Sequence, residues 1–195
     1  MPHLLDYDDT LAKLTAAGFV SLYHNSGAFG FASTEGVTTI GCVAAPDHTI
    51  RADAQKLARL TPDLPAVLAS VAGTLKSEAW LMPKSHWHYE LHFGNRELLE
   101  KLLPTIGVDP PLLRDHNNGS AIVFSPDETP SLVAATRDLL DGLVQSDFLI
   151  AFPDAATLVT VHHHKQLWIQ TKRATALEGS FRQSTQSSSS ATEDD

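Results

Sequence analysis

An α+β fold of mostly antiparallel sheet, with helices packed on one side, is the class this sequence predicts. Three observations carry that reading. Strand-sized apolar runs separated by Asn-Ser-Gly and Thr-Glu-Gly turns recur along the chain. Several intervening stretches repeat their apolar residues at helical spacing. With 43 % hydrophobic and 19 % charged residues among 195, there is enough apolar material to bury a core without disulfides or metal.

The elements follow in order. Leu4, Tyr7, Leu11 and Leu14 share one face of a helix predicted over residues 4–17, and Gly18 is its stop. Residues 19–24, 28–33 and 37–44 read as three strands of an antiparallel meander. Pro46 breaks that pattern, and a short helix is predicted over 52–60. A better one follows, with Thr61 as cap, Pro62 in its first position and Asp63 at its positive end. Leu64, Val67, Leu68, Val71 and Leu75 form its apolar stripe.

Residues 78–82 and 85–93 read as two strands around Pro83-Lys84. Asn95 then caps a helix that turns Leu98, Leu99, Leu102 and Leu103 inward and ends at Pro104. A loop rich in Pro, Asp and Asn spans 106–119, long enough to suggest a functional or mobile segment. Residues 121–124 form a short buried strand, and Thr129-Pro130 opens a helix carrying Leu132, Val133, Leu139, Leu140 and Leu143. Strands at 148–152, 158–161 and 166–171 complete the fold. A helix followed by three strands thus occurs near 4–44 and again near 130–171, a possible structural duplication.

Periodicity vanishes from Ala174, and Ser184 to Asp195 contains no apolar residue larger than Ala191. Such a segment cannot offset the entropy of its own ordering. The expected organisation is one globular domain, 1–173, with a disordered Ser/acidic tail, 174–195; a two-lobed alternative divides near 107–118.

Charge and composition narrow the function. The net charge is −9, and Lys172-Arg173 is the only adjacent pair of cations, so nucleic acid is disfavoured as a partner. The N-terminal residues lack the basic and apolar regions of a signal peptide, and no apolar run approaches the roughly 18 residues that span a bilayer. The lone Cys42 permits no intramolecular disulfide. A cytoplasmic protein without membrane attachment is the expectation. Cys42 lies in an apolar run and reads as a small buried hydrophobe.

The richest stretch for chemistry is Ser85-His86-Trp87-His88-Tyr89-Glu90-Leu91-His92-Phe93. With a strand period of two, Trp87, Tyr89, Leu91 and Phe93 form a core stripe. His86, His88, Glu90 and His92 then share the other face. Two histidines at i and i+2 can converge on one zinc ion, with a third ligand from elsewhere and an open position for an activated water. The plainer reading is a half-exposed strand whose polar face uses histidine. The stretch is similar to the His-x-His-x-acid-His signature of metallo-β-lactamase-like hydrolases, with Leu91 inserted and Glu90 in place of Asp. It also resembles the His-x-His of cupins, without their glycines. Neither likeness extends beyond these residues.

His162-His163-His164 forms or borders a turn between two strands, where alternation sends His162 and His164 one way and His163 the other. This turn could be merely exposed, or it could supply the missing ligand. Asp115 and His116 beside Asn118-Gly119 are a weaker acid–base pair. No Gly-x-Ser-x-Gly elbow or Walker-type loop is present, and Gly27-Ala28-Phe29-Gly30 opens no helix, as a nucleotide fingerprint would. Two functions remain. One is a non-catalytic binding or adaptor domain, without cofactor, for a protein or small ligand. The other is a zinc-type hydrolase with His86, His88 and one of His92, His162 or His164 as ligands and Glu90 as general base.

Overall fold

The computed structural model describes residues 1–45, 50, 52–114 and 119–178. The chain runs β1 (His3–Leu5), α1 (Tyr7–Ala16), β2 (Phe19–Ser21), β3 (Phe29–Phe31), β4 (Thr38–Val43), α2 (Ala52–Gln55) and β5 (Ala58–Leu60). Then come α3 (Leu64–Leu75), β6 (Ala79–Pro83), α4 (Trp87–His92), α5 (Arg96–Thr105), α6 (Pro110–Arg114) and β7 (Ala121–Phe124). The last elements are α7 (Thr129–Gly142), β8 (Phe148–Phe152), β9 (Thr157–His162) and β10 (Gln166–Thr171).

Eight strands form one sheet in the order β1-β7-β6-β8-β9-β10-β4-β5, while β2 and β3 pair as a separate ribbon. Among the described residues of the large sheet only β4 and β5 run parallel. The fold is α+β and mostly antiparallel, as the patterning predicts. Its two edges are three-residue strands, which present little unpaired backbone to another chain.

Strand alternation distributes side chains to two cores. Leu81, Ile122, Phe148, Ile150 and Val159 point to the face covered by α3 to α7, where Leu68, Trp87, Leu99, Leu113 and Leu139 are buried against them. Trp80, Met82, Val123, Leu149 and Leu158 point the other way, toward Leu14 of α1 and Phe19 and Phe29 of the ribbon. So α3 to α7 share one side as expected, and α1 with the ribbon covers the other.

The N-terminal runs do not make one meander. β2 and β3 pair only with each other, while β4 crosses to β10. The burial pattern gives the reason. β4 is buried from Ile40 through Val43 and suits a sheet interior, whereas β2 and β3 each bury only Phe19 or Phe29 and serve as a cover. The two ends of the chain therefore share an element order, helix then three strands, but not a pairing.

Boundaries moved where backbone bonding outweighed propensity. Asp6 caps α1 by accepting from the Asp9 N–H at 2.8 Å, and Gly18 ends it with φ at +88°, a conformation an L side chain resists. Residues 58–60 form a parallel strand on β4 rather than the end of a helix. The Thr61 N–H extends that contact to the Val43 carbonyl at 2.8 Å, so the cap of α3 passes to Asp63, which accepts from Ala66 N–H at 3.1 Å. Pro104 lies inside α5. The predicted 106–119 loop contains α6, and Asp115 and His116 lie outside the described residues. Residues 174–178 are helical and bury Leu177 in the main core, so the ordered body runs past 173, while 179–195 lie outside the described residues. Among the described residues no helix is long and apolar enough to cross a membrane.

Candidate functional site

Sheet register gathers the chemistry-bearing segments at one end. β6 ends at Pro83, opposite Phe148 where β8 begins, and β9 ends at His162, opposite Gln166 where β10 begins. Lys84-Ser85-His86, Ser146-Asp147 and the His162–His164 turn all leave the sheet here. Ser120, just before β7, joins them through its carbonyl, which accepts from Trp87 Nε1 at 2.7 Å.

The predicted strand at 85–93 is instead the six-residue helix α4. Over so short a run both periods fit, and tertiary burial decides. Trp87, Glu90 and Leu91, at i, i+3 and i+4, turn into the core. His86 precedes them as the N-cap, its Nδ1 accepting from the Tyr89 N–H at 3.1 Å. His88 and His92, one turn apart, have ring centroids 4.3 Å apart on the outer side, and His88 Nδ1 lies 3.1 Å from the Arg114 carbonyl. Phe93, expected in the core stripe, is 71 % exposed.

The helix separates the proposed base from the proposed ligands. Glu90 is two residues on from His88, about 200° around the axis at 3.6 residues per turn. It is fully buried, at 0 % exposure. Its Oε1 accepts from Ser85 Oγ, and its Oε2 accepts from Asn95 Nδ2 and Ser146 Oγ, each at 2.8 Å. Asn95 precedes α5 but makes no side-chain cap bond to it. It donates also to Ser146 Oγ at 2.8 Å and accepts from the Val144 N–H at 3.0 Å. Glu90 thus ties α4, the start of α5 and the segment before β8 into one polar network.

The second cluster is tighter. Ring centroids of His162, His163 and His164 lie 4.4, 5.0 and 4.2 Å apart in pairs. Their candidate ligand atoms all fall within 4.8 Å of one another, and among the described residues no other such group of three exists. Asp147, a lone acid in the sequence, approaches His163 Nδ1 at 2.9 Å and His162 Nε2 at 3.9 Å through Oδ1. Oδ1 also accepts from the His163 N–H at 3.2 Å, and Lys84 Nζ stands 3.5 Å from Oδ2. The His162 and His164 pairing expected from alternation therefore includes His163, because the turn abandons the strand period. His86, His88 and His92 form a separate group on α4, and neither they nor Glu90 join the hairpin cluster.

Electrostatics follow the burial. Burial lowers the pKa of His162 most; His163, His164 and Lys84 add to this against the pull of Asp147. Burial pushes Asp147 up, but the hydrogen bond from His163 and the charges of His162 and Lys84 outweigh it, leaving the carboxyl below its ordinary value. His86 is held below 6.5, chiefly by desolvation and then by His88, with Glu90 opposing. Cys42 is buried, which raises its thiol pKa against the bond from Thr61 and the charge of Arg59; it is no activated nucleophile.

The His86 shift has a testable sign. A histidine depressed in the fold stabilises above its unfolded pKa, and that stability is lost as pH falls through the folded pKa. Protonation of Nδ1 also removes the cap acceptor. The protein therefore loses thermal stability as pH drops from 7 toward 5, and His86→Asn, which can cap without titrating, loses less. Melting temperatures of both proteins at pH 7 and pH 5 give the difference; equal losses would remove His86 from the account.

The fold and this sheet end define an α+β domain with a histidine-rich rim. Compared with known proteins, the chain matches no family model, no curated protein and no solved structure.

Proposed function

We infer that this protein is a non-catalytic binding domain of the adaptor type, whose contact surface is the histidine-bearing end of the sheet. The observation that carries the reading is the fate of Glu90. A general base needs an acceptor within reach of a substrate proton. Glu90 is wholly buried, and both its oxygens are already taken by Ser85, Asn95 and Ser146. Both sheet faces are likewise covered, and the loops at the histidine-bearing end offer polar side chains to a protein or small ligand. A net charge of −9 argues against nucleic acid, and a single buried cysteine suits a reducing, cytoplasmic setting.

A second reading, a metal-dependent hydrolase, draws on the proximity of three imidazoles to Asp147. Turnover separates the two. The protein is incubated with one equivalent of zinc and offered ester, phosphodiester, amide and lactam substrates. The binding-domain reading expects rates no higher than zinc alone. A rate above that background, abolished by His163→Ala, would establish the hydrolase instead.

A further inference from the structure

We propose that the β9–β10 turn is a binding site for a divalent transition-metal ion, zinc or a similar imidazole-preferring cation, held by His162, His163 and His164 with Asp147 orienting the His163 ring. The site differs from the α4 histidines in its geometry. Three nitrogens around a tetrahedral zinc, at about 2.0–2.1 Å each, lie about 3.4 Å from one another. One nitrogen from each ring already falls within 4.8 Å of those from the other two, so ring rotation and modest side-chain adjustment close the set. His162 and His163 are half-buried and His164 is exposed, which leaves the ion's fourth position toward solvent.

Asp147 makes this more than a run of adjacent histidines. Metal-bound imidazoles commonly donate their second nitrogen to a carboxylate, which fixes tautomer and ring orientation. His163 Nδ1 lies 2.9 Å from Asp147 Oδ1, so the Nδ1 proton points to the carboxylate and Nε2 presents its lone pair. The carboxylate is itself fixed, by the His163 N–H at 3.2 Å and Lys84 Nζ at 3.5 Å. The backbone beside it is pinned as well, since the Lys84 N–H donates to the Asp147 carbonyl at 2.9 Å. His162 requires one exchange. Its Nδ1 accepts from the His164 N–H at 3.1 Å, so coordination through Nε2 moves the ring proton to Nδ1 and gives up that bond. Imidazole donors favour zinc, copper and nickel over magnesium or calcium.

Lys84 sets a limit on affinity, because its ammonium places a positive charge beside the incoming cation. The site is therefore of moderate strength, and Lys84→Ala tightens it several-fold.

The experiment is calorimetric titration of zinc chloride into chelator-treated full-length protein, paired with thermal melts with and without zinc. One ion binds per chain and raises the melting temperature, because the folded turn binds better than the unfolded chain. His163→Ala abolishes the rise. Asp147→Asn weakens binding by about 10-fold or more, the usual cost of losing a carboxylate behind a metal-bound histidine. The His86→Ala/His88→Ala double variant binds as the parent does. Melts without zinc show whether each variant folds, and His163→Gln serves if His163→Ala does not. Binding with no rise in melting temperature and no response to Asp147→Asn would overturn the proposal, leaving mere chelation by adjacent histidines. Loss in the double variant with retention in His163→Ala would overturn it in favour of α4. The result is independent of turnover, since the site can hold an ion with or without chemistry.

Discussion

Glu90→Ala lowers the free energy of unfolding by about 3 kcal/mol or more. The side chain is fully buried, and its removal strips the acceptor from Ser85 Oγ, Asn95 Nδ2 and Ser146 Oγ together. Orphaning the buried Asn95 donor costs more than its bond contributes, because water does not readily replace the partner there. Glu90→Gln separates this role from catalysis. Its amide oxygen can accept from Asn95 and Ser146 while its amide nitrogen donates to Ser85 Oγ, so most of the network survives and the loss falls to about 1 kcal/mol. A general base changed from Glu to Gln would lose its function with the fold intact. Urea unfolding of the three proteins tests this; an alanine variant with the parental midpoint would remove Glu90 from the structural account.

The damage should reach the hairpin site. Ser146 precedes Asp147, and the Asn95 side chain holds both Ser146 Oγ and the Val144 N–H. Releasing Glu90 loosens the segment that presents Asp147 to His163. The two histidine clusters share no ligands, yet one buried carboxylate supports the ground beneath both.

Much of this architecture was legible as sequence. The strands at 121–124 and 148–152 are readable because continuous apolar runs bounded by turn residues have little else to become, and 166–171 is marked by Leu167, Trp168 and Ile169 between polar residues. The helix at α7 was marked by Thr129-Pro130 and its leucines. What failed was short or ambiguous. Over 85–93 the alternation fitted a strand, but the polar residue at position 90 faces the core and the aromatic residue at 93 faces solvent. No periodicity rule foresees a buried glutamate, since its partners at 95 and 146 come from other elements. The candidate site is half visible in the sequence: the His162–His164 run stands out, but Asp147 is a lone acid there and acquires meaning only through the register of β8 against β9. Single-sequence patterns report local periods, and both of these features depend on pairing across the fold.

Gly27→Ala destabilises the protein by about 3 kcal/mol, at the upper end of overpacking costs. As sequence, Gly27 is only part of a turn before a short strand. In the fold it marks a close approach between backbones, a recognised use of glycine near strands. A Cβ at this position would sit 2.1 Å from the Pro83 carbonyl oxygen and 2.9 Å from Met82 Cγ. The oxygen belongs to the last residue of a central strand and cannot yield without moving β6. The turn must move instead, and it would forfeit the hydrogen bond from the Gly27 N–H to the Ser85 carbonyl at 3.1 Å. That bond fixes the start of the segment leading to His86 and α4, so the loss is felt at the sheet end as well as in the ribbon. Gly36→Ala is the comparison: its φ of +71° imposes backbone strain, but no atom lies within 4 Å of the added carbon. It should cost about 1 kcal/mol. Thermal and urea unfolding of both variants rank the two effects. Equal losses would mean that backbone strain alone acts at Gly27 and that the contact with Pro83 yields freely; a loss at Gly27 about three times that at Gly36 would establish the ribbon's turn as a fixed strut of the sheet end.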